Sequence, residues 1–186
     1  MRRCLYIAIL LGLLVGALFV GQAQAITYKD GTPAQQSYAQ SIIEECWDPW
    51  QAVEQSAGGV WVCFDDDLSE YGPDAHGAAW RGTIVVWDVL NEHNPYLGVV
   101  VAHEFCHQIW YGLGLREQVL WLLTYGPWGT EWSAQPAEHF AECMRVALFP
   151  STRWYANQTT ITPASEEECK AFLMTYHRVP WTITGS

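Results

Sequence analysis

The pattern of apolar and polar residues in the first half of the chain predicts one helix and two or three short strands. Apolar residues recur at helical spacing over positions 38–46, after Thr32-Pro33, so we expect a helix that ends near Asp48-Pro49. The β-branched and aromatic run VWVCF (60–64) predicts a strand. The stretch HGAAWRGTIVVWD (76–88) predicts one or two more strands, of which TIVVW is the most apolar part.

The second half of the chain is predicted to be helical. Asn94-Pro95 repeats the cap-plus-proline signal and begins an apolar helix over about 95–111, which the glycines at 112 and 114 end. We expect a short helix over 115–125, a helix over about 135–148, and a last helix that begins at Thr162-Pro163. A helix and strands followed by helices indicate an α+β fold with a small mixed or antiparallel sheet.

The first 25 residues have the composition of a secretory signal peptide. Arg2 and Arg3 precede an uncharged apolar run, and Ala23-Gln24-Ala25 supplies the small-residue cleavage pattern. We expect cleavage after Ala25 and a secreted protein. The alternative is an uncleaved N-terminal membrane anchor, because the apolar run approaches the roughly 20 residues that a membrane span needs. Residues 26–186 are then long enough for one domain and hardly for two.

Charge and aromatic content narrow the range of partners. The chain carries 20 acidic and 9 basic residues, and loss of the signal removes two of the basic ones and none of the acidic ones. Nucleic acid is therefore excluded as a partner, and an anionic membrane surface should repel the mature chain. The 11 tryptophans and 9 tyrosines are enough large side chains to fill a core and line a cleft.

Five cysteines follow the predicted signal, at positions 46, 63, 106, 143 and 169. In an oxidising compartment an odd number allows at most two disulfides and leaves one thiol. We expect Cys46 to bridge to Cys63 first and Cys143 to Cys169 second, with Cys106 buried. Asn157-Gln158-Thr159 also fits the pattern for N-glycosylation in a eukaryotic secretory pathway.

His103 and His107 lie four positions apart in the predicted apolar helix, in the sequence HEFCH. Residues i and i+4 share one helix face, about 5 to 6 Å apart, so both imidazoles can bind one zinc ion. Glu104 can then reach a water on the metal and act as a general base, which is the chemistry of the zinc-peptidase motif His-Glu-x-x-His. The alternative is an ordinary core helix, but two histidines and a glutamate left unpaired there would cost several kcal/mol.

A catalytic zinc site needs a third protein ligand and an open position. The segment PAEHFAECMR (136–145) places Glu138 and Glu142 one turn apart on a second apolar helix. Glu138 can bind the metal, while Glu142 can accept a hydrogen bond from the outer nitrogen of a ligating histidine. A solvated helix face is the alternative for these glutamates. The extended motif with a third histidine is excluded, because its glycine and histidine positions hold Trp110 and Leu113.

The motif at 103–107, followed 31 residues after His107 by Glu138-His-Phe-Ala-Glu142, resembles the gluzincin zinc metallopeptidases. It is most similar to the catalytic core of the anthrax lethal factor group, over about residues 98–146. The resemblance implies a zincin-like single domain with bound zinc, Glu138 as the third ligand, and Glu142 behind a ligating histidine. It also implies a peptide or protein substrate.

The chain departs from that group at one functional position. Members carry a tyrosine seven residues before the third ligand, where it stabilises the oxyanion of the reaction, and here that position is Glu131. Tyr125 and His177 are candidate replacements, as are Tyr111 and His139. His139 is turned about 100° round the helix from its neighbour at 138, so we do not expect both to bind one metal.

The sequence therefore predicts a secreted zinc peptidase in which Glu104 activates water. The resemblance to the gluzincins, in which an edge strand borders the cleft, further implies that an extended substrate pairs with the sheet edge in HGAAWRG (76–82). One alternative is a secreted zinc-binding module without turnover that serves as an interaction surface. A second is a structural domain whose histidines and glutamates are incidental. The substrate preference and the oligomeric state are left open.

Overall fold

The computed structural model describes residues 26–45, 60–72, 74–125, 135–153, 155 and 166–176. In chain order the elements are β1 (Thr27–Lys29), α1 (Pro33–Glu44), β2 (Trp61–Asp65), β3 (Gly77–Trp80), β4 (Thr83–Trp87), α2 (Tyr96–Gly112), α3 (Leu115–Tyr125), α4 (Pro136–Leu148), a 3-10 turn (Pro150–Thr152) and α5 (Glu166–Tyr176). The described fold is therefore α+β with a small mixed sheet, as the sequence predicts. The predicted signal segment 1–25, Cys46 and Asn157 lie outside the described residues.

The sheet has four strands in the order β1-β2-β4-β3. β1 and β4 both run parallel to β2, whereas β3 runs antiparallel to β4 at the edge of the sheet. The side chains that alternate toward the helices are buried, including Val62 and Phe64 of β2 and Ile84 and Val86 of β4. The prediction of a sheet edge within HGAAWRG is confirmed by the position of β3.

Helix α1 begins with the cap that the sequence predicts. The Thr32 side chain accepts a hydrogen bond from the Gln35 backbone N–H, and the Gln35 side chain accepts one from the Thr32 N–H. The Gln35 amide group also donates to the carbonyls of Asp88 and Leu90, at 2.7 and 2.8 Å. This buried glutamine therefore fixes α1 to the segment that follows β4. The helix ends at Glu44, before the predicted Asp48-Pro49, and positions 46–50 are not described.

Helix α2 lies at the centre of the molecule and contacts the sheet, α1 and α4. It begins at Tyr96, whose backbone N–H donates to the Asn94 side chain at 3.0 Å, so the predicted start is shifted by one residue. Gln108 attaches the helix to the β3–β4 turn: its amide group donates to the carbonyls of Trp80 and Thr83 at 2.9 and 2.8 Å, and its oxygen accepts from the Gly82 N–H at 2.8 Å. The helix therefore holds the edge strand in place.

The described cysteines carry thiols, and the expected disulfide between Cys143 and Cys169 does not form. The expected partner of Cys63, Cys46, lies outside the described residues. Cys63 is partly exposed, while Cys106 is buried, as predicted. The sulfur of Cys169 points at the backbone carbonyl oxygen of Cys143, 3.7 Å away, so these two residues meet through a hydrogen bond rather than a bridge. Of the helices in the described residues, none has both the length and the hydropathy that a membrane span requires.

Candidate metal centre

His103 and His107 of α2 converge with Glu138 of α4 where these two helices face each other. The Nε2 atoms of the two histidines are 3.2 Å apart, and Glu138 Oε2 lies 3.1 Å from that of His103 and 3.3 Å from that of His107. All three side chains are largely buried. In the described part of the chain, they form the group of His, Cys, Asp and Glu side chains that is close enough to hold one metal ion.

The spacing of these three donor atoms fits a tetrahedral zinc ion. With bonds of about 2.0 to 2.1 Å, neighbouring ligand atoms of such an ion lie about 3.3 Å apart. The three observed separations are 3.1, 3.2 and 3.3 Å. Two imidazole nitrogens and one carboxylate oxygen are also a donor set that catalytic zinc sites use, with the fourth position open. The residues present therefore suit zinc both in chemistry and in geometry.

The shifted pKa values of His103 and Glu138 indicate that this cluster of side chains stabilises a positive charge. Burial alone would lower the pKa of His103, but hydrogen bonds with Glu138 and Glu142 outweigh it and raise the pKa to about 10. Burial would raise the pKa of Glu138, but hydrogen bonds with His103 and His107 lower it to about 2. Without a metal, an imidazolium thus sits among carboxylates. A cation that binds here must displace its proton.

Glu104 lies on the side of α2 that faces the edge strand. Its side chain is buried, and a Cβ atom added to Gly77 of β3 would lie only 2.8 Å from Glu104 Oε1. The glycine therefore lets the strand approach the glutamate closely. Burial raises the pKa of Glu104, although the nearby His103 and His107 act in the opposite direction. A carboxyl group with a raised pKa is suited to accept and return a proton near neutral pH.

Glu142 lies behind His103, as predicted, and has a partner that the sequence analysis missed. Its Oε2 is 3.3 Å from His103 Nδ1, and Arg145 Nε donates to the same oxygen at 2.8 Å. Hydrogen bonds from Arg145 and His103 overcome the effect of burial and lower the pKa of Glu142 to about 2. The i, i+3 spacing of a glutamate and an arginine within an apolar helix is the signal that could have identified this pair.

The described candidates for an oxyanion donor all have other contacts. The Tyr111 ring stacks on His107, but its hydroxyl donates to the carbonyl of Ala79 in β3 at 2.9 Å. The Tyr125 ring packs against Trp121 in the core. His139 points away from the metal ligands, as expected from its helix position, and accepts a hydrogen bond from Trp121 Nε1 at 3.3 Å.

Two further positions from the sequence analysis, Glu131 and His177, lie outside the described residues. The structure therefore brings together the three predicted ligands, Glu104 and Glu142, and it does not single out an oxyanion donor.

The chain was compared with models of known protein families, with curated proteins and with solved structures. None of the three comparisons found a match.

Proposed function

We propose that the protein is a secreted, zinc-dependent peptidase with a zincin-like fold. His103, His107 and Glu138 would hold the metal, and Glu104 would act as the general base. The observation that carries this proposal is the triangle of donor atoms, 3.1 to 3.3 Å on each side, which two separate helices build. A binding site alone has no use for Glu104, which is why we favour a catalytic role.

The reaction assigns a separate task to each side chain around the metal. Bound zinc would polarise the carbonyl of the substrate and lower the pKa of water. Glu104 accepts a proton from the attacking water and passes it to the departing amine. Glu142 accepts a hydrogen bond from the Nδ1–H group of His103, which leaves the Nε2 lone pair of that histidine to face the metal.

The edge strand β3 supplies a surface for an extended substrate. The carbonyl of His76 accepts a hydrogen bond from the Trp87 N–H at 2.9 Å. Because residues alternate along an antiparallel ladder, the backbone groups of Gly77 and Ala79 then point away from β4. The Ala79 carbonyl already accepts a hydrogen bond from the Tyr111 hydroxyl. We therefore place the substrate backbone opposite Gly77, next to Glu104.

Zinc analysis combined with Glu104→Gln tests the proposal. The purified protein should contain one zinc ion per chain and cleave members of a peptide library, and a chelator should stop cleavage. Glu104→Gln should keep zinc and lose about 10²- to 10⁴-fold in kcat/KM, the usual contribution of a general base. Glu44→Gln, at an exposed glutamate of α1, is the matched control and should cleave normally. Full activity in Glu104→Gln would refute the assignment of the base.

The alternative of a zinc-binding interaction module without turnover is favoured by one observation. The Tyr111 hydroxyl and His139 Nδ1 have hydrogen-bond partners outside the metal centre, and an oxyanion donor has not been identified among the described residues. This alternative predicts stoichiometric zinc without cleavage by the wild type. A purely structural domain predicts no stoichiometric zinc, so the same measurements separate all three functions.

A further inference from the structure

We propose that Arg145 is a positioning residue of the metal centre, which holds Glu142 so that His103 presents Nε2 to the metal. Arg145 would act through Glu142, to which it donates two hydrogen bonds. This inference rests on the proposed metal-binding function and adds a residue to it.

The guanidinium of Arg145 makes two hydrogen bonds with the carboxylate of Glu142. Arg145 is completely buried, and its Nε and Nη2 atoms donate to the two different oxygens of Glu142. Such a two-pronged contact fixes the plane of the carboxylate as well as its distance. Since Glu142 Oε2 also lies 3.3 Å from His103 Nδ1, fixing the carboxylate fixes the direction of that hydrogen bond.

Acceptors in the segment after α4 hold the guanidinium of Arg145 from the other side. Arg145 Nη1 donates to the backbone carbonyl of Thr152 at 2.7 Å and to its hydroxyl at 3.1 Å, and Nη2 donates to the carbonyl of Tyr155. The arginine is therefore tied to the segment after α4 and cannot follow a rotating carboxylate without breaking these bonds. A continuous chain of contacts runs from Thr152 through Arg145 and Glu142 to His103.

A purely electrostatic effect of Arg145 on the site would have the opposite sign. Removing a positive charge near a divalent cation favours binding of that cation, whereas removing a positioning contact weakens it. Arg145→Lys separates the two effects, because lysine keeps the charge and loses the planar, two-pronged geometry. Weaker zinc binding in this variant would thus come from lost geometry.

The experiment measures the dissociation constant for zinc by competition with a chromogenic chelator, together with the visible absorption spectrum of the Co²⁺-substituted protein. Arg145→Lys should bind zinc about 10- to 100-fold more weakly and show an altered Co²⁺ spectrum. Arg153→Lys is the matched control. Arg153 also donates to backbone carbonyls of α4, those of Val146 and Ala147 at 2.7 and 2.9 Å, and Arg153→Lys should bind zinc within about twofold of the wild type.

A double-mutant cycle tests whether Arg145 acts through Glu142. In a Glu142→Gln background, Arg145→Lys should cause little further loss of zinc affinity, because the contact it serves has already been weakened. Fully additive losses would contradict the proposed route. If Arg145→Lys does not fold, Thr152→Val decides, since it removes one hydrogen-bond acceptor of the guanidinium and should weaken zinc binding several-fold.

The outcomes also separate this inference from the function on which it rests. Normal zinc content in the wild type, with unchanged or tighter zinc binding in folded Arg145→Lys, would overturn the positioning role alone. The same holds for unchanged zinc binding in Thr152→Val when the lysine variant fails to fold. A wild-type protein that binds no stoichiometric zinc would overturn both the proposed function and the role of Arg145.

Discussion

Gly77→Ala would place a methyl group between the edge strand β3 and Glu104. The new Cβ atom would lie 2.6 Å from Val100 Cγ1, 2.8 Å from Glu104 Oε1 and 2.9 Å from Glu104 Cγ. Carbon atoms in ordinary contact are about 3.5 to 4.0 Å apart, so the strand or the glutamate must move by several tenths of an ångström or more. Overpacking of this kind usually costs about 1 to 3 kcal/mol in the free energy of unfolding.

The position of this methyl group predicts a selective loss of function. Glu104 should be pushed away from the place where it meets water, and a misplacement of about 1 Å in a catalytic group can lower the rate about 10²-fold. The proposed metal ligands lie on α2 and α4 rather than on β3, so the affinity for zinc should stay within about threefold. Urea unfolding, zinc competition and hydrolysis of a library-derived peptide measure the three quantities separately.

Gly98→Ala is the control: it adds a methyl group to α2, the helix that carries Glu104, but on a different side from the one that faces β3. Its Cβ would lie 3.0 Å from the Tyr38 hydroxyl oxygen and 3.1 Å from Ile42 Cδ1, on the side of α2 that packs against α1. This crowding is partly offset by the gain of about 1 kcal/mol when alanine replaces glycine in a helix, and hydrolysis should be unaffected. If Gly77→Ala lost less than the expected amount of about 1 to 3 kcal/mol in the free energy of unfolding and hydrolysed peptides at the normal rate, the close approach of β3 to Glu104 would have no functional role.

Two further predictions concern protons and the β3–β4 turn. Because the pKa of His103 is raised to about 10, zinc that binds below that pH should displace the His103 proton, and the affinity for zinc should increase as the pH rises. Calorimetry in buffers of different ionisation enthalpy measures this proton release. An affinity for zinc that does not change with pH would contradict the prediction. In the metal-free protein, the same raised pKa stabilises the fold fully below the unfolded value of about 6.5 and loses this effect as the pH rises through 10. Gln108→Leu should lower the free energy of unfolding by about 1 to 3 kcal/mol and reduce hydrolysis more than zinc affinity, because three hydrogen bonds to the turn at residues 80–83 are lost. Equal losses in both would refute a role of Gln108 through the strand.

Local sequence signals were sufficient for much of the fold and for the side chains of the site. The cap at Thr32 and the apolar periodicity of α2 act within one or two helical turns, so neighbouring residues alone set these elements. His103 and His107 were predictable for the same reason, because a spacing of four places them on one face whatever the rest of the chain does. Glu138 required the additional step of recognising a second apolar helix with an acidic residue in its first turn.

Features that depend on contacts between distant segments were missed. β1 has only three residues and is defined by its parallel partner β2, so it carries no periodic pattern of its own. No role was predicted for Arg145, because its acceptors at 152 and 155 approach it only after the chain turns back beyond α4. The expected Cys143–Cys169 bridge was wrong in the structure for a related reason: proximity of two helices does not set the direction of two sulfur atoms.

The charges buried around the site offer a reason why a divalent cation suits it better than a proton. Without metal, the positive charges of His103 and Arg145 offset the negative charges of Glu138 and Glu142, and burial shifts Glu104 toward its neutral form. Replacing the His103 proton by a divalent cation adds one positive charge. An ionised Glu104 supplies the negative charge that balances it, and uncompensated charge in a buried site is costly. A divalent cation, which these groups favour over a proton, would thus also favour the ionised form of Glu104. The ionised carboxylate is the form in which a general base can accept a proton.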